Sequence, residues 1–373
     1  MKELNDILTA VDAFAARGER MALATIVSVR GSTYRREGAR LLLTASQQMV
    51  GNISGGCLES DVMVVADEVM ASGQPRFVTY DLTADDDAVW GLGLGCNGAV
   101  DLFVEPLDAA SRQLRILREA VDAEQTVALV KVLDGPRAGR WMAVGPGGKM
   151  EESLGDPALD DRAARAAKAA LTEGASRILT LPSRDGDVRV FAEAIRPPVR
   201  LIVCGAGHDA IPVVQFASSL GWRVLVVDQR ERFLSSERFP GARQFVRAEP
   251  AGAAQGVPLD DRTYVVVMTH NYLHDRDLLR GFLATPVRYI GMLGPRVRTE
   301  KILDELRREG VTVTDGDRAR IFGPLGLDVG GEGSEAIALA VLGEIQAVES
   351  GRAGGFLRAR KGPIHESQKP VAR

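Results

Sequence analysis

Cys57 stands in a setting that suits thiol chemistry. It ends the run Gly55-Gly56-Cys57, directly before residues 58–72, whose apolar spacing predicts a helix. The backbone N–H groups and the dipole of a helix start favour the thiolate form of a cysteine. A thiolate on an open glycine turn suits nucleophilic or persulfide chemistry, or binding of a soft metal by Cys57. The alternative is a small residue that only fills a tight turn.

A second candidate thiol, Cys96, lies in the glycine-rich stretch 91–98, which runs into a predicted strand at 99–104. Cys204, in contrast, belongs to an apolar predicted strand and is expected in the core. The chain has 3 cysteines, which excludes a disulfide framework. Two loop thiols still allow a redox-sensing or scaffold protein with a Cys57–Cys96 disulfide.

A nucleotide-type turn follows the strand that contains Cys204. From Gly205 to Ala210 the sequence is Gly-Ala-Gly-His-Asp-Ala, in which Gly205 allows a tight turn and Gly207 lets a pyrophosphate approach the backbone. Asp228 ends the next predicted strand, where a ribose-binding acid belongs. This pattern predicts a Rossmann-like fold and leaves an NAD(P)-dependent oxidoreductase open. Asp209 counts against that activity, because it places a negative charge beside the expected phosphate.

His270 follows the predicted strand 263–269. The carboxyl ends of parallel strands are where such sheets bind ligands, so His270 is expected to point toward the cleft. His270 and His274 also have the spacing of a metal-binding pair on a helix. The favoured interpretation is that His270 caps the strand and His274 lies on the surface.

Two further candidate residues precede helices near the end of the chain. Arg296 opens the predicted helix 296–309 and is a candidate phosphate ligand, with a solvated helix-start residue as the alternative. Asp328 is the polar member of the glycine-rich loop 323–331.

The elements that must position these residues fall into two parts. Pro197-Pro198 is a stiff break, which sets domains at 1–196 and 197–351 and a flexible tail at 352–373. After the break, apolar strands alternate with helices, which predicts a parallel sheet covered on both faces. The fold class is therefore α/β, with a C-terminal Rossmann-like sheet and an N-terminal α+β part.

The N-terminal part contains a weak internal repeat, 1–108 and 113–196. An offset of 101 places Leu58 on Leu159 and Cys57 on Ala158, while Gly55-Gly56 falls on Asp156-Pro157. A degenerate duplication would mean that the scaffold folds without the Gly-Gly-Cys loop. The loop would then serve something other than folding.

Charge and hydropathy exclude several classes of protein. The formal net charge is −4, which argues against a nucleic-acid binder. We expect no membrane span, because the chain has no apolar run of about 18 residues. The N-terminus lacks the features of a signal peptide, so we expect a cytoplasmic protein.

Together these stretches resemble the xanthine dehydrogenase accessory family, XdhC/CoxI. In the N-terminal part the resemblance lies in GNISGGCLESDV (51–62) and GLGCNGAVDLFVEPL (93–107). In the C-terminal part it lies in LIVCGAGHDA, VLVVDQR, VVVMTHNYLHD, YIGMLGPR and GPLGLDVGGEGSEAIALAVLGEI. Residues 113–196 carry little of it.

The resemblance implies a chaperone that binds the molybdenum cofactor, as molybdopterin or its cytosine dinucleotide, and inserts it into a xanthine dehydrogenase-type enzyme. It also implies a role in exchanging an oxo for a sulfido ligand, a cysteine desulfurase as sulfur donor, and a homodimer. Whether the protein itself catalyses sulfur transfer stays open. The implied thiol residues are Cys57 and Cys96, with Cys57 on the metal. The implied cofactor-binding residues are Gly55, Gly56, Gly205, Gly207, His208, Asp228, His270, Arg296 and Asp328.

Overall fold

The protein, represented by a computed structural model, is described over residues 2–81 and 98–361. Its main chain forms two compact units, which meet in the sequence at Pro197 and Pro198. Cys96 and most of its glycine-rich stretch lie outside the described residues, as do residues 362–373 of the predicted tail.

The first half of the N-terminal unit is one antiparallel five-stranded sheet with two helices. Its elements are α1 (Lys2–Ala15), β1 (Met21–Gly31), β2 (Arg40–Thr44), β3 (Met49–Gly51), α2 (Glu59–Ser72), β4 (Arg76–Asp81) and β5 (Gly98–Leu107). The strand order is β3-β2-β1-β5-β4.

The second half repeats this arrangement element by element. Its elements are α3 (Arg112–Asp122), β6 (Val127–Val132), β7 (Trp141–Val144), β8 (Met150–Glu151), α4 (Pro157–Glu173), β9 (Arg177–Ser183) and β10 (Gly186–Ile195). The order β8-β7-β6-β10-β9 is the order of the first sheet with each strand replaced by its counterpart. The two halves of the expected repeat therefore have one topology.

Apolar spacing explains how each half closes. The buried positions of α1, Leu4, Ile7, Leu8 and Val11, recur every three to four residues and join a core shared with α3. Helix α2 covers the first sheet and α4 covers the second, each in its own apolar cluster.

Charged side chains also join the two halves. Arg40 of the first half donates to Glu193 of the second at 2.6 Å, and both side chains are buried. Lys131 of the second half pairs with Glu105 of the first. Each half thus contributes one buried cation and one buried anion, and each of these charges pairs with the opposite charge of the other half.

The C-terminal unit is a six-stranded parallel sheet, which confirms the predicted Rossmann-like fold. Its strands are β11 (Arg200–Cys204), β12 (Arg223–Asp228), β13 (Gln244–Arg247), β14 (Thr263–Val267), β15 (Tyr289–Met292) and β16 (Ile321–Phe322). Its helices are α5 (Ala210–Ser219), α6 (Tyr272–Leu283), α7 (Arg296–Arg308), α8 (Asp315–Ala319) and α9 (Ser334–Ser350). The order β13-β12-β11-β14-β15-β16 reverses direction at β11, as in dinucleotide-binding sheets.

Helices cover both faces of this sheet. Helices α5 and α9 pack on one face, and α6 and α7 pack on the other. Cys204 lies in the second cluster and is 1% exposed, which confirms its expected place in the core. Within residues 2–81 and 98–361, no helix is long and apolar enough to cross a membrane.

Candidate functional site

Cys57 lies on a loop that is anchored at both sides. Ile53 and Leu58 are each 1% exposed and belong to the core under α2. Between them the chain turns outward, so that Gly55 and Gly56 are exposed and Cys57 is partly exposed. The loop therefore presents its thiol while its ends are fixed by packing.

Ser54 organises the turn that carries Cys57. Its hydroxyl accepts hydrogen bonds from the N–H groups of Gly56 at 3.2 Å, Cys57 at 2.9 Å and Leu58 at 3.1 Å. The same hydroxyl donates to Glu59, whose carboxylate also accepts from the Ser54 N–H at 3.0 Å. These N–H groups are thus already bonded, which differs from the free helix-start donors that the sequence suggested.

The corresponding loop of the second half has the same framework and no thiol. Asp160 accepts from the Leu154 N–H at 2.7 Å, as Glu59 accepts from the Ile53 N–H at 3.3 Å. Asp156 caps α4 by accepting from the N–H groups of Ala158 and Leu159. Ala158 stands where Cys57 stands, so the framework forms without a cysteine at this position.

The glycines of the Cys57 loop border open space. A Cβ atom added to Gly55 or Gly56 would meet no heavy atom of residues 2–81 and 98–361 within 4 Å. Gly56 has φ +109°, a value that L side chains rarely adopt, but Gly55 has no such requirement. Neither the local backbone nor a neighbouring atom therefore explains the glycine at position 55.

The second group of candidate residues lies at the carboxyl edge of the parallel sheet. Gly205 has φ +115°, and a Cβ there would lie 2.6 Å from the carbonyl oxygen of Met268 after β14. Glycine is therefore required where β11 and β14 diverge. This point is the switch in strand order at which such sheets bind ligands.

Asp209 and His270 pair across that switch point. The Asp209 Oδ2 atom lies 2.7 Å from His270 Nε2, and the other carboxylate oxygen lies 2.7 Å from a Cβ built on Gly207. His270 has φ +59° and precedes Asn271, which caps α6. His270 therefore lies before the helix that contains His274, so the two residues do not form a pair on one helix. The Asp209 carboxylate lies beside Gly207, in the turn that was predicted to bind a phosphate.

Asp228 accepts hydrogen bonds from the protein's own groups. Its carboxylate accepts from the Ala206 N–H at 2.8 Å, from the Arg230 N–H at 2.8 Å, and from Arg230 Nε and Nη2 at 2.9 and 2.8 Å. Burial opposes ionisation most strongly, but these donors together outweigh it and lower the pKa of Asp228. The bond to Asp228 in turn raises the pKa of Arg230.

Several predicted residues line one cavity of about 390 Å³. Gly205, Asp228 and His270 contribute to its wall, together with Arg230 and His274. Gly207 and His208 belong to the adjoining turn but are not part of this wall.

Arg296 and Asp328 lie elsewhere on the same edge and are exposed. A second cavity, of about 360 Å³, is lined there by Gly294, Gly330 and Gly331, beside the start of α9. The next arginine, Arg298, bonds to the buried Asp275 of α6 and so joins two helix starts. The parts of the chain that the structure describes bring no three metal-ligating side chains together.

Sequence reasoning did not single out Ser54, Arg230 or Arg238. Arg230 had a local signal, since it follows Asp228 by two residues. Arg238 had none, because it donates at 3.2 Å to the carbonyl of Ala206, which is 32 residues earlier.

Two family descriptions match this chain. Residues 201–345 match the XdhC Rossmann domain, and residues 14–81 and 120–182 match the XdhC and CoxI family. The latter ranges fall in the two halves that have the same strand order.

Individual proteins give the same result. A protein of Bacillus subtilis (strain 168), named as a probable subunit of xanthine dehydrogenase, is 29% identical over 338 residues, which cover 90% of this chain and 96% of that protein. "Molybdenum cofactor insertion chaperone PaoD" of Escherichia coli (strain K12) is 23% identical over 335 residues, or 89% and 84% of the two chains. A crystal structure from Bacillus halodurans, described as that of a xanthine dehydrogenase, superposes with TM-score 0.76 and 29% identity, covering 92% of this chain and 96% of that one.

Proposed function

Because this chain belongs to the XdhC and CoxI family, we propose that it binds the molybdenum cofactor and takes part in maturing a xanthine dehydrogenase-type enzyme. The names of its relatives support a role in cofactor insertion. In this proposal the cofactor is cargo, received and then delivered. A cysteine desulfurase as sulfur donor, a cytoplasmic location and a homodimer belong to the same proposal.

The observation that carries the proposal is the contrast between the two loops of the N-terminal unit. The first presents a partly exposed thiol on glycines that border open space, and the second has Ala158 on the same framework. A thiol that the fold does not need is available to a ligand. A thiolate sulfur is a soft ligand, which suits molybdenum. A thiol can also hold a further sulfur atom as a persulfide.

The C-terminal unit, considered by itself, has residues that suit groups of the same cofactor. The start of α5 and the Gly205 turn suit a phosphate, provided that the ligand displaces the Asp209 carboxylate from Gly207. His270 would then exchange its carboxylate partner for the ligand. Arg296 and Asp328 lie on the same edge of the sheet and would contact the pterin part. When bound, the cofactor carries a molybdenum centre for use in the acceptor enzyme.

We propose that Cys57 either ligates molybdenum or holds a sulfur atom as a persulfide, received from the persulfide of the cysteine desulfurase by exchange that releases the desulfurase cysteine as a thiol. Ser54 and Glu59 hold the turn in place, and Gly55 leaves room for the cargo. Cys96 stays a second candidate, outside the described residues.

The test uses Cys57→Ala, which copies the residue found at the equivalent position of the second half. We expect the variant to fold normally and to activate an apo-form of the acceptor enzyme at least about tenfold less, a loss of about 1.4 kcal/mol. Molybdenum and pterin that co-purify from cofactor-producing cells give a second measurement. Ser60→Ala, an exposed change on the same helical turn, is the control. Full activation by Cys57→Ala would overturn the role of the thiol.

A further inference from the structure

A cleft in the N-terminal unit is lined by arginines that the proposed function does not use. Its volume is about 420 Å³, and its wall comes from the β1–β2 turn, the start of α1 and the end of β10. The arginines in this wall are Arg35, Arg36, Arg40 and Arg196. A cleft that is lined by several charges of one sign concentrates ions of the opposite sign, so this one favours an anion.

The second half of the same unit contains an equivalent cleft. Gly38 and Gly139 have φ +87° and +86°, and their N–H groups donate to the carbonyl oxygens of Ile26 at 2.8 Å and Val132 at 2.9 Å. These two turns therefore occupy the same place in their sheets. The turn with Gly139, the start of α3 and the end of β5 line a cavity of about 510 Å³.

The two equivalent clefts differ in charge. Among the described residues, the wall of the first has four arginines and three glutamates, and the wall of the second has one arginine and three acidic residues. Glu193 in β10 and Glu105 in β5 stand at equivalent positions. Three residues later, Arg196 lines the first cleft where Asp108 lines the second. The duplicated fold thus does not require a cation at this position.

Two of the arginines in the first cleft are paired within the protein. Arg40 donates through Nη2 to Glu193 at 2.6 Å, and both side chains are buried. Arg35 pairs with Glu3, whose carboxylate also accepts from the Arg40 N–H at 2.7 Å. These two glutamates therefore hold the cleft wall in place.

Arg196 is held differently. It is exposed and forms no ion pair with the residues that the structure describes. Its guanidinium lies against Gly174, the C-cap of α4, where an added Cβ would lie 1.8 Å from Nη2. The third glutamate of the wall, Glu37, accepts from the Val29 N–H at 3.2 Å. Arg196 is thus the cation of this cleft that can turn to a ligand without breaking an ion pair.

We propose that this cleft binds a small oxyanion, a free carboxylate or phosphate compound, through Arg196 and Arg36. A guanidinium offers two parallel N–H donors that match either group. Ser176 and Tyr34 lie in the same wall and supply hydroxyl donors. The volume of the cleft lies within the range of small-ligand sites. This site is independent of the proposed function, because it requires neither Cys57 nor the molybdenum cofactor.

The test is calorimetric titration of the full chain with succinate, inorganic phosphate and succinamide, which has the shape of succinate without its charge. We expect succinate or phosphate to bind, and succinamide not to bind. Arg196→Asp, which copies the residue at the equivalent position of the second cleft, should weaken this binding at least about tenfold, because a charge-assisted hydrogen bond is lost. Arg140→Gln, in the wall of the second cleft, is the matched control and should bind like the parent protein.

Arg36→Gln provides a second variant in the same cleft, and circular dichroism shows that each variant keeps its fold. Tighter binding of succinate identifies a carboxylate ligand, and tighter binding of phosphate identifies a phosphate ligand. Binding of neither anion, or equal binding of succinamide, overturns the site. An equal loss in Arg196→Asp and Arg140→Gln, or binding that neither Arg196→Asp nor Arg36→Gln weakens, places the anion elsewhere and overturns it as well.

Discussion

Two adjacent glycines of the Cys57 loop differ in backbone conformation. Gly56 adopts φ +109°, so a side chain there is strained although space is available. The φ angle of Gly55 lies outside the left-handed range, and no heavy atom of the described residues lies near it either. If the space in front of the loop receives cargo, the ligand requires glycine at position 55, whereas the backbone conformation requires glycine at position 56.

Alanine substitutions should separate these two roles. We expect Gly56→Ala to reduce the free energy of unfolding by about 1–2 kcal/mol, the cost of a left-handed backbone for an L residue. Gly55→Ala should change it by less than about 0.5 kcal/mol, as at an unstrained surface site, yet lower the molybdenum content of the purified protein. Denaturant titration and metal analysis measure the two effects. A normal metal content in Gly55→Ala would contradict the assignment of this space to the cargo.

The first turns of helices α2 and α4 have their backbone N–H groups bonded by different residues. In both, a carboxylate at the first turn accepts a backbone N–H from the preceding loop, through Glu59 in α2 and Asp160 in α4. In α4 the cap is Asp156, whereas in α2 the hydroxyl of Ser54 takes this role and is itself held by Glu59. The thiol-bearing loop therefore depends on an ionised Glu59.

This dependence predicts a pH effect with a definite sign. Burial opposes ionisation of Glu59 most strongly, but the Ser54 hydroxyl and the backbone donors outweigh it and lower the pKa of Glu59 below its ordinary 4.5. Its contribution to stability is thus fully present above about pH 4.5 and is lost as the pH falls through the lower, folded-state value.

Glu59→Gln should remove that contribution. We expect the variant to unfold with about 1–2 kcal/mol less free energy at pH 7, the scale of a charge-assisted hydrogen bond, and to approach the parent protein as the pH falls below about 4.5. Unfolding titrations from pH 7 to pH 3 measure the difference. Glu119→Gln, on an exposed carboxylate of α3, should show no such convergence. A difference that is constant with pH would refute the coupling.

The sequence predicted the elements that are long enough to show a regular apolar pattern. Helices α2 and α7 and strand β14 were expected near their observed bounds, because burial of one face or of both faces leaves a regular apolar pattern. Strands β3, β8, β13 and β16 have two to four residues, too few to show a period. Helix α6 begins at Tyr272, because Asn271 caps it by accepting from two N–H groups.

In the candidate site, too, only the residues that stand in local sequence motifs could be predicted. Gly205 and Cys57 stand in motifs that are local in the sequence, so their settings could be predicted. The contacts of Asp209 with His270 and of Arg238 with Ala206 span 61 and 32 residues and arise only from folding. These long-range contacts decide which groups a ligand meets at the Gly205 turn.

At the scale of the whole molecule, each unit has cores of its own. Among residues 2–81 and 98–361, each buried apolar cluster draws its members from one side of Pro197-Pro198, with four clusters in the N-terminal unit and two in the C-terminal unit. A chain of about 160 residues is long enough to bury most of its apolar surface. The Cys57 thiol and the cavity beside Gly205 thus belong to units with separate cores.

This division predicts that residues 198–360 fold when produced alone. We expect the fragment to keep its helical circular dichroism and to unfold cooperatively. It should not activate the acceptor enzyme, because it lacks Cys57. Limited proteolysis of the full chain near Pro197-Pro198 should release a stable fragment of this size. A fragment that stays unfolded would show that the C-terminal cores, although drawn from one unit, need the other unit to form.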